Sequence, residues 1–152
     1  FGGSVEVLPV EPDPDAARAI IGEKLAADAE VDVVLALNAS LAGEPAVAAV
    51  SALAEKRPVH VGTFDITDAM LNAVADGAAA FAIDQQPFLQ GYLPVQYLVL
   101  LQRHGVVPVS NVSTGPNLVT KEEVARRLGR TPAPAGEQGT ADPAAGVELE
   151  GG

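Results

Sequence analysis

The feature that most constrains the fold of this chain is a regular alternation of short apolar runs with segments of helical spacing. Apolar runs occupy Val5–Val10, Val31–Leu37, Pro58–Phe64 and Ala78–Ile83. The second of them, "VDVVLAL", is almost free of polar residues, which is typical of a strand covered by helices on both faces. Strands that alternate with helices at this interval indicate right-handed βαβ units. We therefore predict an α/β fold with a Rossmann-like parallel sheet and flanking helices.

Capping residues mark where several of the helices begin or end. Asp13 precedes Pro14, a pairing that favours the start of a helix, and Thr67 precedes "DAMLNAVAD", which Gly77 ends. A further helix is predicted over Glu44–Glu55. After Pro87 a longer helix is predicted to run towards Gly105, and a short one over "KEEVARRLG".

Composition excludes several classes of protein. The chain has 152 residues, of which 48% are hydrophobic, enough for the core of one domain. Its formal net charge of −11 opposes binding to phosphate backbones, so we predict no nucleic acid partner. It contains no cysteine, which excludes thiolate chemistry. The apolar run from Tyr92 to Leu101 is too short to insert in a membrane.

Polar side chains follow three successive predicted strands. Asn38 comes after the second, Asp65 after the third, and Asp84, Gln85 and Gln86 after the fourth. Ligands of open parallel sheets bind outside the carboxyl ends of the strands. Each residue also has a simpler interpretation: a turn for the asparagine, a helix cap for the aspartate, loop polarity for the glutamines. Their coincidence at one edge favours a ligand, and amides beside a carboxylate suit hydroxyl groups.

A metal site is an alternative, because Asp65, Asp68 and Asp84 are carboxylates near strand ends. Their spacing is poor for it, and Asp68 in the first turn of a helix is favoured by the helix dipole alone. Neither histidine has an evident nucleophile beside it. We predict no metal, no cofactor and no catalytic residue, and hence no enzyme.

The segment "VGTFDITDAMLNAVADGAAAFAIDQQPFLQGYLPV", followed by "STGPNLVTKEEV", resembles the C-terminal part of the ribose-type periplasmic sugar-binding proteins of ABC importers. The resemblance extends from about Phe1 to Val124. It implies two Rossmann-like lobes joined by a three-strand hinge, with a sugar held in the cleft between them. The chain, which opens without an initiator methionine, then supplies mainly the second lobe.

The same resemblance divides the chain into four parts. Residues 1–86 are expected to form the C-terminal sugar-binding lobe. Residues 87–110 would be a helix and connection belonging to the N-terminal lobe, and residues 111–129 a final hinge segment with a short helix. Residues 130–152, rich in Pro, Gly, Ala and acids without periodicity, are predicted to be a disordered tail.

The resemblance also implies a site and partners. Gln85 matches a sugar ligand at a hinge crossing, and Asn38 and Asp65 match ligands that bind sugar hydroxyls from the second lobe. The expected partners are a monosaccharide or similar polyhydroxylated ligand and an ABC transporter permease, at a periplasmic or extracellular location, with a cell-envelope lipoprotein as one form. Two alternatives stay open: the effector domain of a sugar-responsive repressor, and a doubly wound metal-dependent enzyme using Asp65.

Overall fold

A computed structural model of the chain describes residues 3–54 and 57–129. The helices are α1 (Pro14–Ala27), α2 (Glu44–Ser51), α3 (Asp68–Asp76), α4 (Pro87–His104) and α5 (Lys121–Gly129), with a short π-helix at Ala39–Gly43. The strands are β1 (Val33–Ala36), β2 (His60–Phe64), β3 (Phe81–Asp84) and β4 (Asn117–Val119).

These strands form one sheet in the order β1-β2-β3-β4. The first three are parallel, so that Val33 pairs with His60 and Gly62 with Phe81. The predicted α/β fold is therefore confirmed. One element departs from the predicted parallel arrangement: β4 is antiparallel to β3. Because α4 buries none of its residues, it does not act as a crossover helix packed on the sheet, and the chain returns in the opposite direction.

The core lies where the helices meet the sheet. Ile21 and Leu25 of α1 are almost fully buried, as are Met70 and Val74 of α3. Val61 on β2 is inaccessible to solvent and belongs to the same cluster. Burial of these side chains is the main stabilising contribution to the fold, and it holds β1, β2 and β3 together so that their carboxyl ends share one edge.

The predicted helix caps are confirmed. The Asp13 carboxylate accepts a hydrogen bond from the Ala16 backbone N–H at 2.8 Å, and the Thr67 hydroxyl accepts one from the Met70 N–H. Gly77 ends α3 with φ of 81°, a left-handed conformation that glycine adopts at little cost. Asp13 and Thr67 thus fix where α1 and α3 begin, and Gly77 fixes where α3 ends.

One arginine secures the turn between α1 and β1. The Arg57 guanidinium donates to the carbonyl oxygens of Leu25 at 3.1 Å and Asp28 at 2.9 Å, and also to that of Val31. The first two carbonyls belong to the end of α1, and the third lies just before β1. A single planar cation thus satisfies three acceptors that the helix end and the turn leave without helical partners.

The first predicted strand is wrong for this structure. Residues 3–10 lie outside the four-stranded sheet, and Val5 and Val7 are 89% and 84% exposed. β-branched residues favour an extended backbone, but a strand forms only where a neighbouring strand is available for pairing. Glu6 is held to Lys24 of α1 by an ion pair at 2.8 Å, so the segment runs beside the helix.

Two further predictions concern segment ends. The second helix stops at Ser51, earlier than the predicted Glu55, which lies outside the described residues. The predicted disordered tail, residues 130–152, also lies outside them.

Apolar side chains remain exposed on β1 and along α4. Val33 and Leu35 are both more than half exposed, and so are Phe88 and Leu98 of the long helix. Phe88 stacks on Tyr92, with ring centroids 5.7 Å apart. Across the described ranges, no helix combines the length and apolar character needed to cross a bilayer.

Candidate ligand-binding site at the sheet edge

Asn38 is the first polar residue after β1, and its side chain has a fixed orientation. Its Oδ1 accepts hydrogen bonds from the Leu41 backbone N–H at 2.9 Å and from the Ser40 hydroxyl at 3.2 Å, capping the π-helix. Because Oδ1 is occupied by these donors, the Nδ2 group is the part of the amide that Asn38 presents to the strand ends. Nδ2 lies 3.4 Å from Oδ2 of Asp65.

Asp65 follows β2 and occupies the centre of the site. Its backbone has φ of 69°, in the left-handed region, where Asp and Asn are the best tolerated residues after glycine. The Asp65 N–H donates to the Ile83 carbonyl at 2.9 Å, which anchors the residue to the end of β3. The carboxylate is half-buried, and its Oδ1 accepts from Nε2 of Gln85 at 2.6 Å. Each carboxylate oxygen thus faces one amide donor.

Gln85 follows β3 and reaches Asp65 from the third strand end. The residue before it, Asp84, is 8% exposed, and its Oδ1 accepts from the Gln86 backbone N–H at 2.8 Å. Gln86 has φ of 54°. Among the described residues other than glycine, Asp65 and Gln86 are the two with positive φ. Backbone strain of this kind is concentrated at functional sites in proteins generally.

The structure thus brings Asn38, Asp65 and Gln85 together, as the strand-end rule predicted. The simpler interpretation of Asn38 as a turn former also holds, because one end of its amide caps the π-helix while the other faces Asp65. Thr67, not Asp65, caps α3, so the helix-cap interpretation of Asp65 is wrong. Gln86 contributes a left-handed turn to this edge.

Sequence reasoning missed two residues that contact the site's backbone. The Gln85 carbonyl accepts from Nε2 of Gln90 at 2.8 Å and from the Thr114 hydroxyl at 3.2 Å. Gln90 follows Gln85 by five residues, and Thr114 by 29. No periodicity or spacing signals a side chain that bonds to a backbone carbonyl so far along the chain.

The chemistry of the three-residue cluster is that of an acceptor flanked by donors. A carboxylate has about four lone-pair positions, and two amide contacts leave acceptor capacity for hydroxyl groups. The side-chain carbonyl oxygen of Gln85 adds a further acceptor, and the side-chain amide nitrogen of Asn38 is a donor. Among the described residues, no three or more His, Cys, Asp or Glu side chains are grouped as metal ligands would be.

A separate groove of about 450 Å³ lies between α4 and the loop at 108–114. Leu93 and Tyr97 contribute apolar surface to it, and Gln90 and Thr114 lie on its wall. It does not include Asn38, Asp65 or Gln85, so the polar cluster and this groove are different surfaces.

Comparison with known proteins places this chain in a family. A sequence model of the periplasmic binding protein domain matches residues 2–105. The chain is 37% identical over 68 residues to a xylose/arabinose-binding protein from Sulfolobus acidocaldarius, a match covering 43% of this chain and 17% of that protein.

Solved structures agree with this assignment. A carbohydrate transporter from Acidothermus cellulolyticus in complex with myo-inositol aligns with a TM-score of 0.65 and 32% identity, over 75% of this chain and 40% of that one. AraP, an arabinose-binding protein from Geobacillus stearothermophilus, aligns with a TM-score of 0.65 and 28% identity, over 76% and 42%. The chain therefore spans less than half the length of these relatives. The resemblance read from the sequence is confirmed, and this chain belongs to the periplasmic binding protein domain family.

Proposed function

We propose that this chain forms the sugar-binding part of the C-terminal lobe of an ABC transporter's substrate-binding protein, and that the whole protein captures a simple sugar for import. The observation that carries the proposal is the convergence of Asn38 and Gln85 on the Asp65 carboxylate. Three separate strands of one sheet deliver these side chains, and a parallel sheet of this kind binds its ligands at that edge.

The orientation of the amides supports a polyhydroxylated ligand. Asn38 offers a donor whose direction is set by the cap it makes, and Asp65 offers acceptors on both oxygens. A hydroxyl group both donates and accepts, so adjacent hydroxyls of a sugar satisfy an acceptor and a donor side by side. A ligand without hydroxyl groups would not replace the hydrogen bonds that the Asp65 carboxylate loses when water leaves the site. A site of this type rejects such a ligand.

The solved relatives support a two-lobed protein. One is a carbohydrate transporter and the other an arabinose-binding protein, and this chain aligns with about two fifths of each. In our proposal residues 1–86 form the C-terminal lobe, residues 87–110 pack on the N-terminal lobe, and residues 111–129 return through the hinge. The complete absence of buried residues in α4 favours a second surface against which it packs.

The transport role implies a partner and a location. We propose an ABC transporter permease as the partner and a periplasmic or extracellular site of action, either free or lipid-anchored. The similarity to the carbohydrate transporter from Acidothermus cellulolyticus favours this role over that of a repressor domain. Neither catalysis nor a cofactor is part of the proposal.

Substitution of Asp65 tests the proposal. Asp65→Asn keeps the size of the side chain and a residue type that tolerates positive φ, but it replaces an acceptor by a donor opposite two amides. In the full-length protein we expect sugar affinity to fall roughly 30-fold or more, which corresponds to about 2 kcal/mol for an unpaired buried group. Isothermal titration calorimetry over a panel of monosaccharides provides the measurement.

The control is Asp76→Asn, which makes the same chemical change at an exposed residue at the far end of α3. It is expected to bind sugar as the parent does. An Asp65→Asn protein that is folded and binds with parental affinity contradicts the assignment of Asp65. A parent that binds no monosaccharide contradicts the proposed function itself.

A further inference from the structure

The peptide unit between Gln85 and Gln86 is held in place by side chains. Its carbonyl oxygen accepts from Gln90 Nε2 at 2.8 Å and from the Thr114 hydroxyl at 3.2 Å. Its N–H donates to the Asp84 carboxylate at 2.8 Å. Side chains from three different positions thus bind the carbonyl and the N–H of this peptide unit. These contacts restrict rotation of the unit in either direction.

This peptide unit precedes a residue in an uncommon conformation. Gln86 has φ of 54°, a left-handed conformation that is unfavourable for a residue other than glycine. Relaxation of Gln86 to negative φ would rotate the peptide unit and move the carbonyl away from its donors. The hydrogen bonds at its two ends therefore oppose a rotation that the backbone itself favours, and strain of this kind persists only where the surroundings determine it.

The anchored unit also limits displacement of the Cα atom from which the Gln85 side chain extends. The carbonyl carbon is bonded to that Cα atom, and from there the side chain reaches Oδ1 of Asp65 at 2.6 Å. Gln85 is otherwise exposed, so little packing restrains its three side-chain torsions. The backbone is the part of this residue that its surroundings fix.

Close approach of the returning chain makes the Thr114 contact possible. A Cβ atom on Gly115 would lie 3.2 Å from the Asp84 carbonyl oxygen and 3.4 Å from Cα of Gln85, so a larger residue would push the two segments apart. Asp84 is also paired with Asn117 in the sheet register. The segment carrying Thr114 is thereby placed beside Gln85 independently of the hydroxyl contact.

We infer that Gln90 and Thr114 are positioning residues that hold Gln85 within reach of Asp65. Two segments between β3 and β4 then determine the geometry of the proposed sugar site. This inference rests on the proposed function. Neither residue needs to touch the ligand: both hold the backbone carbonyl beside the Cα atom of a residue that does. Loss of either donor is expected to free the Gln85 amide and weaken its contact with the carboxylate.

The test uses Thr114→Val, which keeps the shape of the side chain and removes the hydroxyl, together with Thr114→Ser, which keeps the hydroxyl. Gln90→Leu removes the second donor, and Gln96→Leu, which makes the same change farther along α4 from Gln85, is the matched control. In the full-length protein, loss of one hydrogen bond should lower sugar affinity about fivefold for Thr114→Val and for Gln90→Leu. Thr114→Ser and Gln96→Leu should bind as the parent does.

A double-mutant cycle shows whether the effect passes through Gln85. In the Gln85→Ala background Thr114→Val should have no further effect on affinity, because the side chain it positions is absent. An undiminished loss in that background would overturn the inference, as would unchanged affinity of both Thr114→Val and Gln90→Leu in the parent background.

A spectroscopic readout needs no sugar. The side-chain amide resonances of Gln85, observed by nitrogen-15 NMR, should move towards the values of a free glutamine in Thr114→Val and stay in place in Thr114→Ser. Unchanged resonances in both Thr114→Val and Gln90→Leu would refute the positioning role even if the protein binds sugar. Shifted resonances in a protein that binds no sugar would refute the proposed function and leave the structural coupling established.

Discussion

Replacing Arg57 with Met removes one donor group that serves three backbone carbonyls at once. The carbonyls of Leu25, Asp28 and Val31 lie at the end of α1 and just before β1, and the guanidinium is partly buried among them. Methionine keeps an unbranched apolar stem of similar reach, so the packing of the stem is largely preserved while all three hydrogen bonds are lost.

The expected loss follows from these contacts. Each hydrogen bond contributes about 1 kcal/mol net, and water can reach the edge of this turn to replace part of it, so we expect Arg57→Met to lower the free energy of unfolding by about 2–3 kcal/mol. With a urea dependence of about 1–3 kcal/mol per molar, the unfolding midpoint should fall by roughly 0.7–3 M. The unfolding midpoint of Arg57→Lys should lie between those of the parent and of Arg57→Met, since a single ammonium group cannot match the planar guanidinium.

Urea unfolding followed by circular dichroism measures this on the 152-residue chain. Arg18→Met is the control, because it makes the same change at an exposed position of α1. We expect it to unfold within a few tenths of a molar of the parent, as surface substitutions usually do. A midpoint for Arg57→Met equal to that of Arg18→Met would show that the three carbonyls are satisfied equally well by water, and that our account of this turn is wrong.

Three further predictions concern other parts of the lobe. Gly62→Ala would place Cβ 2.4 Å from Cζ of Phe81, so urea unfolding should show a loss of about 1–3 kcal/mol; the double variant with Phe81→Leu should recover part of it, and full stability of the single variant would contradict the close approach. Amide hydrogen exchange of the isolated chain should be early in α4 and slow in β1 and β2, and uniform protection would show that α4 has a packed position within these residues. The backbone N–H of Glu30, followed by the Lys24 ammonium, holds the pKa of Asp28 below its usual value of 3.8. The stability from these contacts is therefore present above pH 3.8 and lost as the pH falls through the lower pKa of the folded state; Asp28→Asn should make the difference between urea midpoints at pH 5 and pH 3 smaller, and an unchanged difference would count against this.

The strand ends were predictable because they depend on rules that act locally. Apolar runs predicted the positions of β1, β2 and β3, and the polar residues after the runs gave Asn38, Asp65 and the group Asp84 to Gln86, from which the family resemblance selected Gln85. That these side chains would meet followed from parallel pairing alone. The hydrogen bonds from Gln90 and Thr114 were not predictable, because they depend on how a long helix and an irregular loop return to the sheet.

Residues 3–10 show a different reason for failure. Their β-branched composition favours an extended backbone, and the structure does extend them, but pairing requires a partner whose position the local sequence does not encode. The antiparallel direction of β4 was missed for a related reason. Whether a strand runs parallel depends on where the preceding connection packs, and the exposed α4 does not pack on this sheet.

The left-handed backbone at Asp65 limits how this site is able to diversify. At φ of 69°, glycine, asparagine and aspartate are accommodated with little strain, whereas longer or β-branched residues with other recognition chemistry are not. Asn38 has φ of −152°, an extended conformation open to most residue types. In a laboratory selection for a new ligand, beneficial substitutions should therefore accumulate at position 38 before position 65. The Asp65 carboxylate would then stay constant while substitutions at position 38 change which ligand is bound.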